Sequence, residues 1–169
     1  MGRSIVVAVD GGEESIHALT WCLQNIVVVG TTADEASSDS GGSVTGDTVV
    51  LLYARPSPSV YPAMDGSGYL FSSDIIASMD NYSKHLADAV TKKAKMVCSS
   101  YPNLKVEIKV QNGDPRDVIC EMVDKLGADM LVMGSHGYGP LKRAFIGSVS
   151  SYCAQNVKCP VLIVKKPKN

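Results

Sequence analysis

Short unbroken apolar runs alternate along this chain with segments of helical period, and that alternation limits the folds open to it. Ile5-Val6-Val7-Ala8-Val9 runs without a polar residue into Asp10-Gly11-Gly12, which suits a central parallel strand covered on both faces. Ile16, Leu19, Leu23 and Ile26, with Ala18 and Cys22 beside them, recur at helical spacing behind Ser15, a cap or early helical residue. Val49-Val50-Leu51-Leu52-Tyr53-Ala54 reads as the second strand, stopped by Arg55-Pro56-Ser57-Pro58. After a long loop through Tyr61, Pro62, Gly66 and Gly68, Ser72 or Ser73 opens a long helix. Its expected core stripe is Ile75, Ile76, Met79, Tyr82, Leu86, Ala89, Val90 and Val97.

Val106, Ile108 and Val110 alternate with charged residues, the pattern of a half-exposed edge strand. Gly113-Asp114-Pro115 supplies a turn, a cap and a first-turn proline for a helix carrying Val118, Ile119, Met122, Val123 and Leu126. Met130-Leu131-Val132-Met133 is the fourth strand; a helix around Val149 to Asn156 and a strand at Val161-Leu162-Ile163-Val164 follow. Strands alternating with helices predict an α/β fold with a parallel sheet and right-handed crossovers, which takes ligands outside the strand C-termini where the winding reverses.

The 169 residues fit one domain, 1–169. Residues 30–47 have almost no large apolar side chains and are crowded with Ser, Gly and Asp. Burial there cannot offset the entropy of ordering, so the segment reads as a flexible surface insertion. Sixteen Lys plus Arg against seventeen Asp plus Glu create no field that would draw the protein to nucleic acid or membrane. The lysines of Lys165-Lys166-Pro167-Lys168 read as a solvated tail.

Cys22, Cys98, Cys120, Cys153 and Cys159 are odd in number and form no C-x-x-C pair, against a zinc knuckle or thioredoxin motif and for reduced thiols. No long apolar signal region follows Met1-Gly2-Arg3-Ser4, no run reaches transmembrane length, and Val6 argues against myristoylation. A soluble intracellular protein is expected, in the cytoplasm, with the nucleus as a second candidate compartment. His17 and His85 lack a second ligand at helical spacing, so no metal site is expected there.

The fourth strand feeds Met133-Gly134-Ser135-His136-Gly137, and after nine intervening residues come Gly147-Ser148 and a helix. Glycines let backbone approach an oxyanion, and the N–H groups and positive dipole end of a following helix favour a phosphate. Ser148 could add a hydroxyl donor, or a cap, at the helix entrance. Lys142 and Arg143 could reach phosphate oxygens or stand as solvated loop charges. His136 has no evident carboxylate partner in the sequence and reads as a loop residue. No G-K-[ST] ends the loop and no G-x-G-x-x-G follows the first strand, which weakens both the P-loop and the dinucleotide-binding readings. Glycines selected only for tight packing remain the bland alternative.

These residues resemble the universal stress proteins, whose nucleotide-binding members carry G-x-x-G, nine residues, then G-[ST]; Gly134, Gly137, Gly147 and Ser148 match every fixed position. The likeness extends to Val7-Ala8-Val9-Asp10, Leu51-Leu52-Tyr53-Ala54, Gly113-Asp114-Pro115 and Pro160-Val161-Leu162-Ile163-Val164, with the lengthened loops of a plant-type single-domain member. It implies a five-stranded parallel sheet of order 3-2-1-4-5 with helices on both faces, the Rossmann-like, adenine nucleotide alpha hydrolase-like fold. It implies further that Ala8, Val9 and Ala54 lie near an adenine and that Met133 and Gly134 line adenine and ribose. Gly137, Gly147, Ser148 and Val149 would cradle phosphate. Asp10 matches a ribose-binding carboxylate, though it could instead, or also, cap the first helix.

The resemblance thus implies an ATP- or AMP-binding stress-response protein acting as sensor or switch, with slow ATP hydrolysis at most. Any Mg2+ would be held through the phosphates and water. Pairing of the strand Val161 to Val164 with its copy would give a homodimer, against a monomer whose edge its own tail covers; signalling proteins are further candidate partners. Two other readings stand beside this one. The fold could serve as a protein-interaction module without nucleotide. Alternatively, Asp10-Gly11-Gly12-Glu13-Glu14-Ser15 resembles, with substitutions, the S-G-G-x-D-S loop of adenylating ATP pyrophosphatases, although Asp10 puts a negative charge where pyrophosphate would sit.

Overall fold

Four apolar runs and one alternating segment become the strands. In a computed structural model that describes residues 2–30, 46–57, 73–136 and 146–167, these are β1 (Ser4–Ala8), β2 (Thr48–Arg55), β3 (Lys105–Asn112), β4 (Met130–Gly134) and β5 (Val161–Val164). Between them lie α1 (Glu13–Asn25), α2 (Ser73–Cys98), α3 (Pro115–Leu126) and α4 (Ser148–Asn156). The strands form one sheet of order β3-β2-β1-β4-β5, every pair parallel, with Val6 opposite both Val50 and Leu131. That is the order the resemblance implied.

Side chains alternate across the sheet. Ile5, Val7, Val9, Val49, Leu51, Tyr53 and Val132 join one core with α1 and α2, while Val6, Ala8, Val50, Leu52, Leu131 and Met133 join another with α3 and Cys153 of α4. Each such buried aliphatic side chain contributes about 1.5–3 kcal/mol, so a polar residue anywhere in β1 would damage one core or the other. β3 is the edge strand its alternation predicted, with Ile108 and Val110 exposed. Asp114 caps α3 by accepting from the Arg116 N–H, Pro115 occupies the first turn, and Gly113 before them has φ 141°.

The expected core stripe of α2 is corrected. Ile75, Ile76, Met79, Tyr82 and Leu86 are exposed, as is Ala89, and Val97 is only half-buried; the buried side chains besides Val90 are Ala87, Thr91, Ala94 and Cys98. Geometry supplies the reason. A 26-residue helix is about 39 Å long and an eight-residue strand only about 26 Å, so α2 overshoots the β2 and β3 strands it packs on.

Residues 31–45, most of the expected insertion, lie outside the described residues, as does 58–72 of the long loop. Asp47, assigned to that insertion from composition, belongs instead to the framework. It is buried, and its carboxylate accepts from Arg3 N, Nε and Nη2 at 2.9, 3.2 and 2.6 Å and from Val28 N at 2.9 Å. Burial would push this carboxyl up, but the Arg3 and Val28 donors outweigh it and hold it below the usual range. Thr48 N donates to Arg3 O, which places this clasp at the N-terminal ends of β1 and β2, across the sheet from the strand ends considered next.

Candidate functional site

The winding reverses between β1 and β4, and parallel sheets take ligands outside the carboxyl ends of the two strands that flank such a point. Ala8 ends β1, Gly134 ends β4 and Ala54 is the penultimate residue of β2. Val9 continues β1 by donating to Leu52 O at 2.9 Å. The residues matched to adenine and ribose thus lie along one edge of the sheet.

Asp10 follows in a tight turn. Its Oδ1 accepts from Gly12 N at 2.8 Å, and its own N–H donates to the Ser15 hydroxyl at 3.0 Å. Gly12, not Asp10, is the N-cap of α1. The carboxylate steadies the turn before the helix, so the capping alternative holds only in that indirect sense. Its charge is felt across the crevice: burial pushes the Tyr53 phenol up, and Asp10 adds to the rise.

Gly134 owes its lack of a side chain to packing. A Cβ there would stand 2.9 Å from the Glu14 carbonyl carbon, 3.0 Å from its oxygen and 3.1 Å from Ser15 N, because the first turn of α1 crosses directly over the end of β4. The bland reading of the glycines therefore applies at this position.

Gly147 is the N-cap of α4 and donates to Ser135 O at 2.7 Å. A Cβ there would approach Ser135 O to 3.0 Å and the His136 Cα to 3.3 Å. Ser148 is the first helical residue rather than the cap; no side chain caps α4, and Ser148 is exposed. Val149 is half-buried against the α3 and α4 core. Ser150, buried, donates to Gly134 O at 2.8 Å and fastens the first turn of α4 to the end of β4. Gly137, Lys142 and Arg143 lie outside the described residues.

Two helix N-termini, those following β1 and β4, flank the crevice, and they differ. α1 carries Glu13 and Glu14 in its first turn, with Glu13 paired to Lys166 and Glu14 accepting from Ser135. Its dipole is already met by carboxylates. α4 has no acid in its first turn, so its leading N–H groups and positive end favour an incoming anion. This counts against pyrophosphate binding in the 10–15 loop. Lys166, expected to be solvated, is thereby an ion-pair partner.

Sequence reasoning missed three participants. Ser135, 3% exposed, donates to Glu14 Oε2 at 2.7 Å and lies 3.0 Å from His136 Nδ1, which is 3.7 Å from the same carboxylate oxygen. His136 does have a carboxylate beside it, 122 positions back in the chain. Ser150 is the third. None of the three carries a local signal, since their partners are set by how α1, β4 and α4 meet.

Among the described residues no group of three or more His, Cys, Asp and Glu could hold a metal, and no helix is long and apolar enough to cross a membrane. The cysteines are free; burial pushes the Cys22 and Cys98 thiols up to about 11 and Cys153 to about 12, which keeps them protonated. An apolar groove of about 620 Å³ opens where α2 overshoots β2, lined by Tyr53, Pro56, Ile75, Met79, Tyr82 and Leu86 among others. It lies beside the crevice rather than in it.

Comparison with known proteins fits this arrangement. The model of the universal stress protein family matches residues 1–165. Universal stress protein MJ0531 of Methanocaldococcus jannaschii is 39% identical over 166 residues, covering 98% of this chain and 84% of that one. Three plant relatives, all from Arabidopsis thaliana, are matched over only 34%, 65% and 62% of their own lengths. Among solved structures, an Arabidopsis thaliana universal stress protein family protein with AMP bound superposes at TM-score 0.61 and 20% identity, over 98% of this chain and 92% of that one. A universal stress protein in complex with cAMP superposes at TM-score 0.58 and 20% identity, over 96% of each chain. Sheet order, strand-end edge and matched sequence agree, and the chain belongs to the universal stress protein family.

Proposed function

We propose that this protein binds an adenine nucleotide, ATP or AMP, in the crevice outside β1 and β4. Adenine would lie against Ala8, Val9, Ala54 and Met133, and Asp10 would accept from a ribose hydroxyl. Phosphates would meet the leading N–H groups of α4 at Gly147, Ser148 and Val149; Gly137 joins them by sequence motif alone, and Lys142 and Arg143 are candidate contacts by their place in the sequence. The observation that carries this reading is the contrast between helix termini: α1 has Glu13 and Glu14 in its first turn, whereas α4, entered through Gly147, has no acid there. Related structures with AMP and with cAMP support the ligand class.

The chain would act as one domain and as a sensor or switch in a stress response. Phosphate contacts at the start of α4 would alter self-association or partner binding. The apolar β5, at the sheet edge with Val161, Leu162 and Ile163 only half-buried, supports a homodimer through that strand. Free, buried thiols support a reducing compartment such as the cytoplasm. Any Mg2+ would be held by the phosphates and water, the described side chains offering no cluster for it.

Native mass spectrometry of gently purified protein, followed by calorimetry with ATP, AMP and cAMP, tests the reading. Co-purified nucleotide or measurable binding supports it, and silence in both sinks it. Silence would favour the interaction module, for which the exposed Ile75, Met79 and Tyr82 of α2 speak.

A further inference from the structure

Beyond the end of β4, two residues take part in an arrangement that nucleotide binding as described does not use. Ser135 Oγ donates to Glu14 Oε2 at 2.7 Å and lies 3.0 Å from His136 Nδ1. A hydroxyl has one proton; with that proton on Glu14, Ser135 can only accept from the ring, so the network places a hydrogen on Nδ1. A second proton on the ring would then sit on Nε2. Glu14 Oε2 lies 3.7 Å from Nδ1, and both side chains are largely buried. The His136 backbone stands beside the N-cap of α4, since its Cα is 3.3 Å from where a Cβ on Gly147 would be.

We propose that Glu14, Ser135 and His136 form a proton-linked clamp on the ligand's phosphates. Glu14, through Ser135, holds His136 at the α4 entrance, where the ring meets phosphate as an imidazolium and binding takes up a proton. Glu14 and Ser135 are positioning residues. This rests on the nucleotide reading and adds its regulation by pH. An imidazolium between a carboxylate and a phosphate is favoured by both, whereas a neutral Nε2 would present a lone pair to the anion. Affinity therefore rises as pH falls. The other titratable groups on the packed elements include Asp10 in its turn, Glu13 paired with Lys166, His17 and Cys22 on α1, and Tyr152 and Cys153 on α4. No further carboxylate lies in the first turn of α4.

Calorimetry of the full chain with ATP and with adenosine, at about pH 8 and about pH 6, tests the clamp. The phosphate's own titration is common to wild type and variant, so the difference between them is read. Between those pH values wild-type affinity for ATP should rise roughly tenfold more than that of His136→Gln, reflecting about one proton taken up on binding. Repeating the wild-type titration in buffers of different ionisation enthalpy should show that uptake directly. Glu14→Gln should lose part of the pH response while adenosine binding stays level. If wild type and His136→Gln both bind ATP with the same pH dependence, the clamp is wrong and the nucleotide site stands. If neither binds ATP or adenosine at any pH, the nucleotide reading falls with it.

Discussion

Gly147 is where the proposed phosphate site is most exposed to test, because the structure says what a side chain there would meet. A Cβ would lie 3.0 Å from Ser135 O and 3.3 Å from the His136 Cα, and both are backbone atoms. Ser135 O cannot retreat without stretching the 2.7 Å bond it accepts from Gly147 N. Alanine therefore demands a shift of a few tenths of an ångström, while valine adds two methyl groups to the same space. Its accommodation should lift the start of α4 by about 0.5–1 Å, enough to stretch a ~2.9 Å hydrogen bond past its useful range. An N–H bond to a charged group contributes about 1.5–3 kcal/mol, and each 1.4 kcal/mol is about tenfold in affinity. Gly147→Val should weaken ATP binding about 100-fold and Gly147→Ala about threefold, with adenosine binding changed by less than about twofold in either. Overpacking should lower the stability of the valine variant by about 1–3 kcal/mol. Calorimetry with both ligands reads the affinities, and thermal unfolding without nucleotide reads the stability. A Gly147→Val protein that folds like wild type and binds ATP within about twofold of it would falsify the cradle.

Asp47→Asn should cost on the order of 2–3 kcal/mol at neutral pH by weakening a buried clasp to Arg3 and Val28, read by urea unfolding. The folded carboxyl lies below its unfolded value, so its contribution is fully present above the unfolded range, about pH 4, and is lost as pH falls through the folded value. The gap between wild type and variant should therefore narrow below about pH 4; a gap constant to lower pH would contradict the clasp. Gly134→Ala should destabilise by about 1–3 kcal/mol because α1 backbone lies within 3.1 Å of the new Cβ, and an unchanged midpoint would show that α1 can shift freely. Ser150→Ala, which removes the buried bond to Gly134 O, should cost about 1–2 kcal/mol and weaken ATP more than adenosine. In a carbon-detected NMR titration, the Asp114 carboxyl, held by the Arg116 side chain and N–H, should titrate near about 2; an ordinary carboxylate value would mean that the cap is not formed.

Elements and fold class were legible in the sequence because period is a short-range property. The apolar run of β1, the alternation of β3 and Gly113-Asp114-Pro115 each specify local geometry through neighbours a few residues away. The four fixed positions of the glycine motif, with Asp10 after β1, pointed to the reversal in the sheet where the structure places Asp10, Gly134, Gly147 and Ser148. The family resemblance, more than the spacing, suggested the proposed ligand. The periodicity of α2 misled over its first half. Period tells which side of a helix is apolar, not whether the sheet is long enough to cover it.

What tertiary structure alone decided are the contacts between residues far apart in the chain. Gly134 is a glycine because α1 crosses it, a reason invisible from its own neighbourhood. Ser135 meets a carboxylate 121 positions away, and Asp47 leaves a polar stretch to join Arg3, 44 positions back. Local propensity is read within a turn or a strand, whereas these pairings exist only once helices and strands have packed, and the packing is set by both cores at once. The sequence by itself thus determined a parallel α/β sheet with a glycine-lined helix entrance. Which helix end stays open to an anion, and which histidine stands beside it, depended on how the first turn of α1 lies over the end of β4.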